Sequence, residues 1–289
     1  MGFRAWILLG AALSMAMADD NGYQGTIERW RHEREAKLKA DDGWLTVAGL
    51  FWLKDGANAA GSAASNAIRL PRGPAHVGDF DFHDGKTLFR ADASVPVEVD
   101  GKPVKSAVLR ADTDPGGPGK VAVSGFTMFV IHRGDRYGIR LKDQDSQMRR
   151  EFTALHWFPV REDYRIVARF VPYDQAHTIA VPNVLGETEK EPCPGYAVFS
   201  LRGHEYRLDP VLEDNRLFFI FRDRSSGKET YGSGRFLYAE MPKEGKVVLD
   251  FNKAENPPCA FTPYATCPLP PAQNRVPVRI EAGELSYGH

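Results

Sequence analysis

Two groups of side chains in the last third of the chain have the types needed for chemistry. Asp223, Ser226, Tyr231 and Arg235 surround a Ser225-Ser226-Gly227-Lys228 turn. Asp250, Asn252, Asn256, Tyr264, Asn274 and Arg275 follow on the next strand and the segment beyond it. Arginine and tyrosine gathered in one place offer charge-assisted hydrogen bonds to a carboxylate or another small polar ligand, and Arg235, Tyr264 and Arg275 are the candidates for that grip. Asp223, Asp250, Tyr264 and Cys259 are also the types a hydrolytic enzyme uses as acid, base or nucleophile. The same Asn, Asp and Arg side chains can equally serve only to satisfy backbone groups in a stretch with few strand partners. Residue type and spacing leave all three readings open.

The segment carrying most of these residues is rich in proline. Seven of the chain's 20 prolines lie between Pro257 and Pro277, and Cys259 and Cys267, two of its three cysteines, are eight positions apart. Proline brings no N–H to a ladder, so such a segment is ordered by side chains or cross-links. A Cys259–Cys267 disulfide is the first expectation and would contribute about 2.5 kcal/mol through loop closure. Pairing of Cys193 with either one, or buried free thiols, are the alternatives. The chain has no Cys-x-x-Cys, no His-Glu-x-x-His, no Gly-x-Ser-x-Gly elbow, no phosphate-cradling glycine loop and no dinucleotide fingerprint. No metal and no cofactor is expected, and a catalytic Cys259 would need His156 or His204 brought to it by folding.

The N-terminus points to an export leader. Arg4, an apolar run from Ala5 to Leu13 and Ala16-Met17-Ala18 give a charged start, a short apolar core and a cleavage site near Ala18. A periplasmic or secreted location follows as an expectation. Loss of Arg4 leaves 36 basic against 38 acidic residues, a net charge of −2, which gives no electrostatic case for nucleic acid. No stretch approaches the roughly 18 apolar residues of a spanning helix. The expected partner is a small molecule or an envelope protein.

The elements that must position these residues are mostly strands. Residues 19–43 read as a helical segment with Ile27, Trp30 and Leu38 on one face, Thr26 as its N-cap and Gly43 beyond its end. Residues 44–145 read as a β-sandwich, with a hairpin at Asp100-Gly101 and a turn at Arg133-Gly134-Asp135. Within it, Gly56 to Pro71 resembles the opening of a forkhead-associated (FHA) domain, whose loops grip phosphothreonine. Ser62 and the Gly73-Pro74-Ala75-His76 run depart from that family's phosphate-binding residues, so the resemblance implies a scaffold and not that function. Asp143 to Arg150 is polar and aperiodic and reads as a solvated joint, with Arg140, Asp143 and Ser146 facing a cleft as the alternative. Residues 146–289 alternate at Tyr164, Ile166, Ala168 and Phe170 and read as a second antiparallel sheet or partly closed barrel. Gly232-Ser233-Gly234 predicts a bulge or a close backbone approach. The fold class is mainly β, with one N-terminal helix.

Beyond single motifs, a longer set of residues carries a resemblance. Gly43-Trp44-Leu45, Gly49 to Leu53, Gly138-Ile139-Arg140-Leu141, Trp157-Phe158-Pro159, Gly234 to Leu237, Asp250-Phe251-Asn252, Asn256 to Pro271, Asn274-Arg275 and Ala282-Gly283-Glu284 together look like DUF1684, a bacterial family of unknown function. The resemblance spans residues 25 to 285 and implies no activity. Non-catalytic binding of a small polar ligand or envelope partner is the first functional expectation, and a hydrolase with its site near the C-terminal loop is the other.

Overall fold

The computed structural model describes residues 22–288, so the expected leader over residues 1–18 lies outside them. The chain is mainly β, with an N-terminal helix and several open, largely antiparallel sheets. The helix runs Tyr23–Lys39, with Ile27 and Leu38 fully buried. Trp30 meets Trp157 edge-on at 5.5 Å between ring centroids. The helix starts ahead of Thr26, whose hydroxyl donates back to the Gly22 carbonyl at 3.2 Å instead of capping the first turn.

Two sheets build the sandwich. One orders Val47–Trp52, Arg136–Asp143, Phe126–Arg133, Val121–Val123, Glu98–Val99 and Lys102–Pro103. The other orders Ile68–Arg69, Gly56–Gly61, Gly78–His83, Lys86–Ala91 and Ser106–Leu109. Phe80, Phe89 and Leu109 from the second sheet pack against Phe126, Met128, Ile139 and Leu141 from the first in one core. Asp100 and Gly101 both take positive φ, the turn that matches strand twist in a two-residue hairpin. In the loop after Gly56–Gly61, the Ser62 hydroxyl lies 2.8 Å from the Gly73 carbonyl and holds its own loop.

The polar joint is an ordered turn whose Gln144, Asp145, Gln147 and Arg150 are exposed. Asp143 and Ser146 are buried. Asp143 accepts both Arg72 guanidinium nitrogens at 2.5 and 2.7 Å, and Ser146 caps the short helix Gln147–Glu151. Buried polar groups must find partners, and the aperiodic pattern hides those that come from Arg72 and Leu45.

The second half has a four-stranded sheet (His204–Leu208, Gly195–Leu201, Arg165–Pro172, Lys246–Asp250), a three-stranded one (Val211–Glu213, Arg216–Phe221, Arg235–Ala239) and the hairpin Thr178–Pro182 with Thr188–Pro192. Ala168 and Phe170 face its core while Val167 is 58% exposed, as the alternation predicts. The alternative of a partly closed barrel is not realised, because none of the sheets closes. The chain leaves Lys246–Asp250 through a tight turn, and the prolines that follow supply no N–H for another rung.

Side chains and isolated backbone bonds order that segment. Asn274, 1% exposed, donates to the carbonyls of Asp209 (2.8 Å) and Ile220 (3.0 Å) and accepts the Asp209 N–H (2.8 Å). Thr262 donates to the Val47 carbonyl of the sandwich at 3.1 Å. Gly234 takes φ +103, and a Cβ there would lie 2.5 Å from the Phe221 carbonyl oxygen and 2.6 Å from Pro270 Cγ. Gly234→Ala should therefore cost about 2–4 kcal/mol in urea unfolding from backbone strain and overpacking. Gly232→Ala, whose nearest neighbour would be 3.7 Å away, is the control and should stay close to wild type.

Candidate functional site

The residues expected to form a site divide among separate networks. Arg235 is fully buried and donates to the carbonyls of Ala282 and Ile280 and, at 3.3 Å, to Asp223. Asp223 also accepts from the hydroxyls of Ser225 (2.8 Å) and Ser226 (3.3 Å) and from the Ile280 N–H (2.7 Å). This closed set ties the hairpin to the final segment. Asp250 accepts the Tyr23 hydroxyl at 2.7 Å, and Asn252 brackets Arg161 with bonds of 2.8 and 3.0 Å, so both anchor the helix and its neighbours. Asn256 donates to the Leu285 carbonyl at 2.7 Å, and Tyr231 donates to the Cys259 carbonyl at 3.0 Å. Tyr264 is 39% exposed and Arg275 is exposed. Arg235, Tyr264 and Arg275 do not face one another.

The expected Cys259–Cys267 bridge is absent, and all three cysteines are free. The Cys259 N–H donates to Cys267 Sγ at 3.2 Å. The sulfur contact with Cys267 brings the Cys259 thiol down to about 7 and raises that of Cys267. Burial pushes Cys193 up to about 11, an inert thiol against the Gly195 carbonyl. The loop needs no cross-link here, since Val184 and Leu269 N–H groups bond to the Cys267 and Pro182 carbonyls at 3.1 and 2.7 Å.

What does converge is a cavity of about 510 Å³ between the sandwich and the second half. Strand alternation turns Ile139 and Leu141 into the sandwich core and Arg140 outward to this cavity. Arg140 is 4% exposed and stacks over Trp44 at 5.1 Å. Its Nη2 makes one long bond of 3.4 Å to the Thr266 hydroxyl, its Nε has no partner, and no carboxylate pairs with it among the described residues. Burial, then the neighbouring Arg133, lowers it to about 10, so it stays charged at neutral pH. Arg133 donates to the same Thr266 hydroxyl at 3.0 Å and pairs with Asp112 at 2.8 Å. Val181, Val211, Phe218, Ile220 and Phe236 form an apolar floor. The sequence reading had Arg140 only as an alternative and left Arg133 in a turn. The available signal was Arg140, a charged side chain between the apolar Ile139 and Leu141; Arg133 lies at the polar end of its strand and gave none.

A larger groove of about 750 Å³ runs between the helix and Lys246–Asp250, and Arg34, Tyr238 and Glu255 line both spaces. Arg34 Nε stands 3.3 Å from Glu255 and 3.6 Å from Glu284 without aligning on either, while Nη2 donates to the Asn256 carbonyl at 2.9 Å. Burial raises both carboxyls against the pull of Arg34, Glu284 to about 7.

With that geometry in view, residues 150–285 match the family described as "Protein of unknown function (DUF1684)". The match covers 136 of the 289 residues, just under half of the chain. The match is narrower than the span read from the sequence. The DUF1684 segment supplies the cavity floor, Thr266 and the three cysteines, whereas Arg34, Trp44, Arg133 and Arg140 come from outside it. The solution structure of an uncharacterised protein of Haloarcula marismortui is similar at 28% identity and a TM-score of 0.41, over 49% of this chain and 81% of that one. Among curated proteins no match to the chain is found.

Glu284 sets a pH dependence. A carboxyl raised from 4.5 to about 7 on folding contributes stability that is fully present below its unfolded value and lost as pH rises through its folded one. Glu284→Gln should therefore gain stability relative to wild type between about pH 4.5 and pH 7 and hold that gain above. Urea unfolding of both proteins at about pH 5, 6 and 8 checks this, and a pH-independent difference would contradict it.

Proposed function

We propose that this protein binds a small organic anion, a carboxylate before others, in the cavity between its two halves, and does so without catalysis. The observation that carries the reading is Arg140, a buried guanidinium with an unpartnered Nε and no ion pair, facing about 510 Å³ of space. A buried charge left unpaired costs stability, so a ligand that pairs with it has a reason to bind. The space is of the size that holds small ligands, and an apolar floor with a few convergent polar groups is the usual composition of such sites. Binding is favoured over hydrolysis because Asp223 and Asp250 are committed to Arg235 and Tyr23, while Tyr264 stands apart at the surface. The leader-like N-terminus supports a periplasmic or secreted place of action.

Calorimetric titration with 4-methylpentanoate and 3-phenylpropanoate tests the reading. Wild type should bind, and Arg140→Met should weaken binding about tenfold or more, the loss of a charge-assisted pair. Arg275→Met, at an exposed arginine, should leave affinity unchanged. Because Arg140 serves a ligand and not the fold, Arg140→Met should unfold at a temperature equal to or above that of ligand-free wild type. Wild type that binds neither acid, or a variant that binds both as tightly, would sink the proposal.

A further inference from the structure

The cavity has a second charged region. On the edge strand Thr188–Pro192, alternation puts Glu189 and Glu191 on the cavity side, and Glu213 joins them from the edge strand Val211–Glu213. No Lys, Arg or His pairs with any of the three among the described residues, and Glu213 accepts only the Tyr238 hydroxyl, at 3.0 Å. The carboxyl of Glu191 is raised, first by burial, then by the charge of Glu189 and a hydrogen bond with it, and last by Glu213. Among the described residues, no group of three His, Cys, Asp or Glu side chains is spaced to hold a metal ion. Three unpaired carboxylates in a space that also contains an unpaired buried guanidinium suit one ligand with charges of both signs.

The register gives the separation of those charges. Arg133 and Arg140 converge on Thr266, and Pro268, two residues on, bridges to Asn183. From Asn183 the ladder runs back through Val181, opposite Glu189, to Ile179, opposite Glu191. At about 3.4 Å per residue, the acidic side chains lie roughly 7 to 14 Å along the strand from the arginine end. A single α-amino acid spans about 3.5 Å and is too short, whereas two to four extended residues span roughly 7 to 14 Å. The floor between the two ends, Val211, Phe218, Ile220 and Phe236, offers no polar side chain.

We propose that the cavity takes a short apolar peptide of roughly two to four residues with both termini free, its carboxylate on Arg140 and its amine among Glu189, Glu191 and Glu213. This rests on the reading of Arg140 as an anion receptor and adds the other half of the ligand.

Calorimetry with tri-leucine, N-acetyl-tri-leucine, tri-leucine amide and free leucine separates the two claims. Tri-leucine should bind wild type at least about tenfold more tightly than each of the other three, since each lacks one charged contact or the reach to make both. The double variant Glu191→Gln/Glu213→Gln, at positions that are not fully buried, should lose the preference for the free amine while still binding N-acetyl-tri-leucine as wild type does. Equal binding of tri-leucine and its N-acetyl form would overturn the peptide proposal and leave the anion receptor standing. Failure of wild type to bind tri-leucine would overturn the peptide proposal alone if 4-methylpentanoate or 3-phenylpropanoate still binds, and both proposals if neither acid does. If free leucine matched tri-leucine, the inferred length would be wrong and the proposal would fall.

Discussion

Proline has no N–H to give, and much of this structure follows from that fact. Between Asn256 and Pro277 the chain cannot continue a sheet, so its order comes from Asn274, Thr262, Asn256 and a few isolated backbone bonds. Those bonds reach in different directions. Asn274 grips the second half at Asp209 and Ile220, while Thr262 grips the sandwich at Val47. The segment therefore spans the two halves, and Thr266 meets both guanidinium groups of the cavity along its course.

Two buried arginines show how differently one side chain can be used. Arg235 has a carboxylate and two carbonyls, and although its Nε is left without a partner, its charge is paired with Asp223. Arg140 has a ring beneath it and one long hydrogen bond. Burial lowers the pKa of both, yet only the first is repaid within the fold. A folded chain keeps an uncompensated charge where something other than stability has use for it.

The frame was largely legible in the sequence. Period-two alternation at Ala168 and Phe170, the Asp100-Gly101 turn and the Ile27–Leu38 face are local signals, and they describe local structure faithfully. Gly234 was legible as a close approach, although its partners Phe221 and Pro270 were not. The site was less legible. Polar residues crowded in sequence, such as Asp223 with Arg235 and Asp250 with Asn252, turned out to hydrogen-bond one another, because neighbours are the cheapest partners for a buried polar group. Arg140 stands between Ile139 and Leu141 and Arg133 beside a polar turn, and only the packing of a distant loop shows what they face. The cysteines misled for a related reason. Sequence spacing suggests a staple, but the backbone already held the loop.

The cavity has three owners: the helix through Arg34, the sandwich through Trp44, Arg133 and Arg140, and the family segment through its floor and its carboxylates. Separated from its neighbours, the family segment would retain apolar and acidic surface and lose every guanidinium that lines the cavity. The recognition proposed for this protein is thus a property of a joint and not of a portable module. A change of partner domain would alter what the segment accepts without touching a residue inside it.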